Sequence, residues 1–428
     1  MKGELETSAA RLPLHEAPGD FIRHGTPAFR HTNLALFAAG FATFGLLYCV
    51  QPLMPVFSRD YGVSAATSAL SLSLTTGVLA FAMLFAGALS DAWGRKSVMV
   101  ASLLSSALLV LVTALMPTWS ALLVVRTLLG LTLSGLPAVA MTYLSEEMHV
   151  ESIGLGMGLY ISGSAVGGMG GRLITGVLTE FVGWRVGVAA VGLIGVLAGL
   201  IFWRALPPSR HFTAQPIHWR ALLSRFIGMF RDPGLPWLFV EGFLLLGAFV
   251  TVYNYLGYRL LAPPYNLSQA SVGLIFGIYL VGTFSSAWMG HLAGQRGRRK
   301  VLWTAFALML IGVLLTMTRP LLLIMLGIVA ITFGFFGGHS IVSSWVGRRA
   351  GAAKAQASSM YLFSYYMGSS IAGASGGLFY TAHGWNGVAV FVSTLVLAGL
   401  LVAWRLYRLP PLVNVATPAT PMSKGAMP

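Results

Sequence analysis

A short basic hinge occurs twice in this 428-residue chain, at positions half a chain apart. The first copy reads GALSDAWGRK from Gly87 to Lys96, and the second reads GHLAGQRGRRK from Gly290 to Lys300. The opening glycines are 203 residues apart, and each copy lies between two long apolar runs. This arrangement predicts a membrane protein built from two related halves.

Twelve apolar runs of about 20 residues, the length that crosses ~30 Å of hydrocarbon, make up most of the sequence. Charged residues are only 9% of the chain, whereas soluble domains carry about 25%. Because lipid offers the backbone no hydrogen bonds, each run should be helical. We therefore predict an all-α membrane protein with twelve transmembrane helices in two pseudo-symmetric six-helix bundles. The predicted spans, numbered 1 to 12, are 33–56, 67–90, 97–116, 119–142, 154–178, 186–206, 235–257, 271–293, 301–317, 321–344, 355–378 and 386–406.

The spans divide the chain into five parts. These are an N-terminal tail (1–32), a first bundle (33–206), a linker (207–234), a second bundle (235–408) and a C-terminal tail (409–428). The linker contains WRALLSRFIGMFRD, which predicts an amphipathic helix on the inner membrane surface. Its apolar face would consist of Trp219, Leu222, Leu223, Phe226, Ile227 and Phe230, with Arg220, Arg225 and Arg231 largely off that face.

The net charge is +15, and the positions of the basic residues along the chain indicate the membrane topology. If the N-terminus is inside, cytoplasmic segments carry 21 of the 27 Lys and Arg residues and external loops carry four. This bias predicts that both termini are cytoplasmic and that the chain is a multi-pass protein of the bacterial inner membrane. The basic residues would meet anionic membrane lipid, and we expect no nucleic-acid partner.

The repeat continues in the glycine-rich spans 5 and 11. At a constant offset of 201, Gly167 aligns with Gly368 and Gly176 with Gly377. The pair Gly183-Trp184 aligns in the same way with a second Gly-Trp at 384–385. The two halves are therefore expected to share one fold.

The first hinge matches the pattern G-x-L-x-D-x-x-G-R-[KR], and the chain as a whole, from 33 to 408, resembles the major facilitator superfamily. A second match is the pair Arg126 and Gly130 in span 4. The strings YISGSAVGGMGGRLITG and WLFVEGFLLLGAFVTVYNYLGYRL are similar to inner-membrane transport proteins of the twelve-span drug:proton antiporter branch. The matched hinge positions are Gly87, Leu89, Asp91, Gly94, Arg95 and Lys96.

The resemblance implies that the first hinge is part of a cytoplasmic gate. Asp91 would lie at the N-terminus of span 11, near Ser358 and Ser359, where the helix dipole favours an anion. Arg95 would meet one of two acids at the inner end of span 4. Those two acids are Glu146 and Glu147.

Physical reasoning gives the hinge a structural role as well. Gly94 permits positive φ at the sharp turn, and Arg95 and Lys96 would face anionic lipid. Asp91 has the alternative interpretation of a solvated loop acid. Gly294 replaces it in the second copy, so we assign the gating role to the first half.

In span 5 a glycine recurs every fourth residue, which lets a neighbouring helix approach closely. Packing is the favoured role of this stripe, which consists of Gly163, Gly167 and Gly171. Antiporters of the resembled branch carry a proline where this chain has Gly168. Arg172, in the same span, is expected to extend its side chain to the outer interface.

Two charged residues lie deep in predicted spans, where each would cost several kcal/mol without a partner. Arg126 in span 4 is either a hydrogen-bond hub for backbone carbonyls or a substrate or proton-relay residue. Glu241 in span 7 is either the carrier of a coupled proton or an interfacial acid paired with a basic linker residue.

Further polar side chains in the spans are candidates for the wall of a substrate cavity. Tyrosines near span ends have the alternative role of anchors at the membrane interface. The candidates are Tyr48, Gln51, Tyr160, Tyr253, Asn254 and Tyr366.

The sequence predicts a secondary active transporter that works by alternating access, with proton-coupled efflux of a small organic molecule as the preferred activity. A proton-coupled or facilitative importer is the alternative, and a membrane receptor or embedded enzyme is more remote. The chain contains no H-E-x-x-H, G-x-S-x-G or Walker motif, so we expect a non-enzymatic protein without metal or cofactor. Its expected partners are the substrate, protons and lipid, and we expect it to be a monomer.

Overall fold

The computed structural model describes residues 21–214 and 219–409, and most of these residues are helical. The membrane-length helices keep the numbers of the predicted spans. Spans 1 to 6 are Pro27–Tyr61, Ala65–Trp93, Arg95–Leu115, Trp119–Glu147, Val150–Val182 and Trp184–Ala205. Spans 7 to 10 are Leu235–Leu261, Gln269–Arg296, Arg298–Thr316 and Leu321–Arg349, and spans 11 and 12 lie within Lys354–Tyr407.

Ten stretches of the described chain meet length and hydropathy criteria for crossing a membrane. The other two of the twelve spans are recognised from the lengths and backbone angles of the helices. Val150–Val182 does not meet the criteria, but its 33 residues are long enough to cross. Lys354–Tyr407 has 54 residues, about 80 Å of helix, which is more than twice the thickness of the hydrocarbon. Non-helical backbone angles at His383 and Gly384 divide it into two spans.

Most helices extend beyond the apolar runs that predicted them, because their ends are set by polar caps. Span 1 begins after Thr26, whose hydroxyl accepts a hydrogen bond from the N–H of Phe29 at 3.2 Å. Ser64 and Ser268 cap spans 2 and 8 in the same way. Such caps satisfy amides that would otherwise lack a partner, so a helix starts at the cap rather than at its first apolar residue.

The repeated glycines occupy equivalent turns in the two halves. Gly94 has φ +94° in the first hinge, and Gly297, its counterpart 203 residues later, has φ +92° in the second. Residues other than glycine rarely adopt these backbone angles. The duplicated hinge therefore encodes the same tight turn twice.

The packing of glycines inside each half repeats as well. A Cβ at Gly167 would lie 1.9 Å from the carbonyl oxygen of Phe41, and one at Gly368 would lie 2.0 Å from that of Phe243. Span 5 thus packs on span 1 just as span 11 packs on span 7. At both positions, the side chain of any residue other than glycine would clash with the neighbouring helix.

The linker contains a helix at Trp219–Met229. Phe226 and Met229 are buried, while Leu223, Ile227 and Phe230 are more than half exposed. The side chains of Trp219 and Leu222, residues 1–20 of the N-terminal tail and 410–428 of the C-terminal tail lie outside the described residues. The exposed apolar side chains fit a helix that lies on the membrane surface.

The linker and both ends of the described chain lie on one side of the protein, which we call the inner face. The two halves meet toward the opposite, outer face. There a Cβ at Gly176 of span 5 would lie 2.5 Å from the Cα of Gly273 in span 8. The equivalent contact of span 11 with span 2 joins Gly377 and Ala66, with a Cβ-to-Cα distance of 2.3 Å. These paired contacts close the outer side of the space between the halves.

Candidate functional site

The first hinge forms a compact ion-pair cluster at the inner face. Arg95 donates from Nε to Glu146 Oε2 at 3.0 Å and from Nη2 to Glu146 Oε1 at 2.7 Å. Its Nη1 donates to the Ser90 hydroxyl at 2.6 Å and also to the Asp91 carboxylate. The two-point contact with Glu146 holds the hinge rigidly against the end of span 4.

Glu147 has a different role from its neighbour. Its buried carboxylate accepts hydrogen bonds from the backbone N–H groups of Arg210 and His211, at 2.7 and 3.0 Å. The ring of His211 lies 3.2 Å from the same carboxylate. Lys96 adds a hydrogen bond from Nζ to the carbonyl of Leu206. Glu147 and Lys96 thus attach the start of the linker to the first bundle.

In the structure, Asp91 bonds to Arg95 of its own hinge. The sequence-based hypothesis places Asp91 beside span 11, a contact between the inner ends of the halves. In this structure the halves meet toward the outer face. The contact of Asp91 with span 11 therefore stays a prediction for the state in which the inner side is closed. Gly87 opens the same hinge, and a Cβ there would meet nothing within 4 Å.

The second hinge cannot form the same ion pairs. At the position 203 residues after Glu146 the chain has Arg349, so the counterpart of the Arg95–Glu146 pair would join two arginines. Arg349 instead bonds to the carboxylate of Asp232 at the end of the linker. Asp232 also caps the start of span 7, accepting from the N–H of Leu235 at 2.8 Å.

Arg126 is a structural hub inside the first bundle. Its fully buried guanidinium donates to the backbone carbonyls of Ser71, Leu46 and Leu47 at 2.9, 3.3 and 2.7 Å. These bonds join span 4 to spans 1 and 2. Nε, Nη1 and Nη2 each donate to a backbone carbonyl, so the packing of the first bundle holds the guanidinium in place.

Gly130 lies one turn beyond Arg126 and serves the same packing. A Cβ at Gly130 would lie 2.3 Å from the carbonyl oxygen of Thr75. Gly163 and Gly171 of span 5 contact the backbone of span 1. A Cβ at Gly163 would lie 2.4 Å from the carbonyl oxygen of Phe37, and one at Gly171 would lie 2.7 Å from the Cα of Gly45. The glycine stripe therefore allows backbone-to-backbone contact between two helices of the first bundle.

Arg172 lies between the two halves, and its predicted extension to the outer interface is wrong. Its side chain is buried, with Nε donating to Gln51 Oε1 at 2.7 Å. The guanidinium carbon lies 4.1 Å from the centre of the Tyr48 ring and 4.8 Å from that of Tyr279. Span 5 turns this side chain toward spans 1 and 8, where the aromatic faces and the amide of Gln51 stabilise its charge.

A hydrogen bond continues this network across the interface between the halves. Gln51 donates from Nε2 to Asn254 Oδ1 at 2.8 Å. The two residues are 203 positions apart and occupy equivalent places in spans 1 and 7. A single polar chain therefore joins Arg172, Gln51 and Asn254 close to the pseudo-twofold axis.

Aromatic rings of the second half cover the other side of this space. Tyr279 packs beside Phe249 and Phe336, with ring centres 5.5 and 5.7 Å apart. The hydroxyl of Tyr253 pairs with that of Thr332 at 2.8 Å. The wall thus combines apolar ring faces with a few polar tips, as in sites for small organic ligands.

The remaining candidates from the sequence are also buried. Tyr160 in span 5 is 6% exposed, and its hydroxyl makes no hydrogen bond within the described chain. Tyr366 in span 11 is 3% exposed, and its ring centre lies 5.3 Å from that of Tyr365. None of these tyrosines is an interfacial anchor in the structure, since all lie inside the protein.

Glu241 is fully buried in span 7, and neither carboxylate oxygen has a hydrogen-bond partner among the described residues. No ion pair joins it to a linker arginine in that part of the chain. The adjacent Gly242 packs against Tyr361, whose ring lies 2.6 Å from the Cβ that this glycine lacks. Tyr361 Oη lies 2.8 Å from His339 Nδ1. Glu241 is thus next to a short polar chain that sequence reasoning missed.

Two signals in the sequence could have indicated the roles of Arg172 and His339. Arg172 lies six positions before the predicted end of span 5 at 178, and a charge inside a span costs several kcal/mol without a partner. His339 is an ionisable residue in the middle of an apolar run, as Glu241 is. Both belong to the class of intramembrane charges that are functional candidates by default.

Comparison with known proteins agrees with this architecture. The sequence model of the Major Facilitator Superfamily matches residues 36–269 and 238–425. The inner membrane transport protein YnfM of Escherichia coli (strain K12) is 50% identical over 391 residues, covering 91% of this chain and 94% of that protein. The uncharacterized MFS-type transporter YybF of Bacillus subtilis (strain 168) is 47% identical, covering 91% of this chain and 96% of its own.

Solved structures confirm the fold. The crystal structure of the nucleoside transporter NupG superposes with a TM-score of 0.73 at 16% identity, covering 88% of this chain and 100% of the other. The resemblance deduced from the first hinge and from the strings in spans 5 and 7 is thereby confirmed, as is the predicted all-α membrane fold. The chain belongs to the major facilitator superfamily and is a multi-pass transporter of the inner membrane.

Proposed function

We propose that this protein exports a small organic molecule in exchange for protons, by alternating access of a central site between its two halves. The observation that carries the proposal is Glu241, a fully buried carboxylic acid whose oxygens have no hydrogen-bond partner among residues 21–214 and 219–409. An ionised carboxylate without a partner inside a membrane protein costs several kcal/mol. The environment therefore favours a protonated Glu241 in this state.

A change of state would alter that balance. If the halves move so that water or a cation reaches Glu241, the ionised form is stabilised and the proton leaves. Tyr361 and His339 form a hydrogen-bonded pair beside Gly242, which offers protons a polar route. Coupling then requires only that Glu241 gains and loses its proton in different states of the transport cycle.

The central space supports a small organic substrate. It is bordered by Arg172, Gln51 and Asn254 on its polar side and by the rings of Tyr279 and Phe249 on its apolar side. Paired glycine contacts close the outer face in this state. An exporter that works by alternating access takes up its substrate from the inner face while the outer face is closed.

The test is transport by the purified protein in liposomes, with an imposed pH gradient and a panel of sugars, drugs and lysolipids. Glu241→Gln keeps the shape of the side chain and imitates the protonated form. We expect this variant to bind substrate and exchange it across the membrane, but not to concentrate it when the gradient is applied. Glu151→Gln is the matched control, because the side chain of Glu151 is 85% exposed.

Two results would decide against the proposal. Gradient-driven accumulation by Glu241→Gln at the wild-type level would remove Glu241 from coupling. Substrate movement in the same direction as the protons would instead assign a proton-coupled importer.

A further inference from the structure

Arg172 carries a buried positive charge near the middle of the membrane. It lies ten residues before the end of span 5 at Val182, about 15 Å along the helix axis, and its relative exposure is 2%. Among residues 21–214 and 219–409, no Asp or Glu forms an ion pair with it. A buried cation without a counter-ion is costly, so a functional reason for its retention is expected.

Comparison with Arg126 shows what Arg172 lacks. Arg126 uses Nε, Nη1 and Nη2 on backbone carbonyls. Arg172 donates from Nε to Gln51 and from Nη1 to the carbonyl of Gly168. Its Nη2 has no hydrogen bond to the described residues. One edge of this guanidinium thus keeps unused N–H donors, while the rings of Tyr48, Phe276 and Tyr279 lie around it with their centres 4.1 to 5.2 Å from the guanidinium carbon.

The direction of the neighbouring hydrogen bonds is fixed by chemistry. A guanidinium only donates, so the oxygen of the Gln51 amide must face Arg172. The nitrogen of that amide then faces Asn254 and must donate to its oxygen, at 2.8 Å. The Asn254 Nδ2 group is therefore a donor, and it is buried without an acceptor. The usual ambiguity of amide orientation does not arise here.

A third unsatisfied group, a hydroxyl, lies in the second half of the protein. The Tyr279 Oη atom is buried and has no hydrogen-bond partner in the described chain, while the face of its ring lies 4.8 Å from the Arg172 guanidinium carbon. Arg172, Asn254 and Tyr279 thus border the interface with a positive charge and an excess of donors. Such a set is complementary to a group that only accepts, and a carboxylate is the simplest one.

The surroundings of Tyr279 describe the rest of such a ligand. The rings of Phe249, Phe276 and Phe336 lie with their centres 5.5 to 6.0 Å from that of Tyr279. These surfaces accept flat or apolar groups and offer little to a sugar, which would need a hydrogen bond for each hydroxyl.

We infer that Arg172 binds the acidic group of the transported substrate, so that the substrates are small organic anions with an aromatic or apolar body. The inference rests on the proposed transport function and names the substrate class of its central site. The carboxylate of the substrate would take the free edge of the guanidinium, and the Asn254 and Tyr279 donors would make the surroundings more favourable to an anion. The body of the substrate would lie against the aromatic wall.

The test uses three benzene derivatives of similar size and different charge: benzoate, benzamide and benzylammonium. Binding to the full chain in detergent is measured by calorimetry and by thermal stabilisation. We expect benzoate to bind more tightly than the other two, and Arg172→Met to weaken benzoate on the order of thirtyfold or more, as for removal of one partner of a desolvated charge pair. Arg185→Met should not change binding, because Arg185 is exposed near the outer end of span 6.

A second variant keeps the test decisive if Arg172→Met does not fold. Asn254→Asp removes the Nδ2 donor and places a carboxyl group beside the Gln51–Arg172 pair, and we expect it to weaken benzoate while benzamide is unaffected. Equal binding of all three probes, or no binding of any at millimolar concentration, would overturn the inference. Gradient-driven transport of an uncharged substrate would refute the substrate class alone. Selective benzoate binding without any transport would refute the proposed function and leave the anion site.

Discussion

The contact of Gly176 with Gly273 gives the most direct test of how this transporter changes state. Gly176→Ala would place a Cβ 2.5 Å from the Cα of Gly273, whereas carbon atoms in ordinary contact are about 3.5–4.0 Å apart. Spans 5 and 8 would have to separate locally by about 1 Å to restore that distance. Because the two spans belong to different halves, the outer-closed state alone carries this cost.

The magnitude follows from overpacking. Inserting a methyl group into a close contact costs about 1–3 kcal/mol, which shifts a two-state equilibrium about 5- to 150-fold. The helix propensity that alanine gains over glycine is about 1 kcal/mol, but it is present in both states and cancels. We therefore expect Gly176→Ala to populate a state with the outer side open.

The assay is crosslinking of two cysteines across the outer face with a short bifunctional maleimide, on a Cys49→Ser background because Cys49 is the one native cysteine. Cysteines at Glu180 and Ala270 lie within reach of such a reagent, since the Glu180 carboxylate accepts from the N–H of Ala270 at 3.3 Å. We expect Gly176→Ala to reduce the crosslinking yield. The equivalent change in the other half, Gly377→Ala, should do the same.

Gly158→Ala is the matched control, because it lies in the same span and its Cβ would meet nothing within 4 Å. It should leave crosslinking unchanged. If Gly176→Ala folds normally and crosslinks like the wild type, or if Gly158→Ala has the same effect, the contact between Gly176 and Gly273 does not control the outer gate.

Three further predictions concern the hinge, the bundle and the topology. The Asp91→Asn variant should express and lose less than about 1 kcal/mol of stability, as expected for a partly exposed ion pair. It should nevertheless lose transport and favour the state that is open to the inner face. Unchanged transport would mean that Asp91 is a solvated loop acid. Gly167→Ala should lower the melting temperature, because its Cβ would lie 1.9 Å from the carbonyl of Phe41. Both residues belong to the first bundle, so the clash is present whichever face of the transporter is open. Gly170→Ala, which meets only the edge of the Phe41 ring at 3.3 Å, is its control in a thermal unfolding series. A reporter fused after Arg259 should read as external, and a cytoplasmic signal there would contradict the twelve-span topology.

The duplication and the spans could be predicted from the sequence because their causes are local. An apolar run of about 20 residues must be helical in lipid whatever its neighbours are. A glycine between two such runs permits the positive φ that the turn needs, as at Gly94 and Gly297. Even so, a helix begins several residues before its apolar run where a cap such as Thr26 lies beyond that run.

The partners of charged residues could not be predicted in this way. Glu146 and Glu147 are adjacent in sequence, but successive helix residues point about 100° apart. One therefore meets Arg95 and the other meets the linker backbone. Only the positions of span 3 and of the linker decide which acid takes which role.

Arg126 and Arg172 show the same division. By itself, the sequence determined that both arginines lie inside predicted spans, but it predicted a buried role for Arg126 and an extension to the outer interface for Arg172. The tertiary structure decided that Arg126 is held by backbone carbonyls of its own bundle, while Arg172 keeps a free edge between the halves. The physical reason is that the direction of a side chain around its helix has consequences only once the neighbouring helices are in place, and those neighbours come from distant parts of the chain.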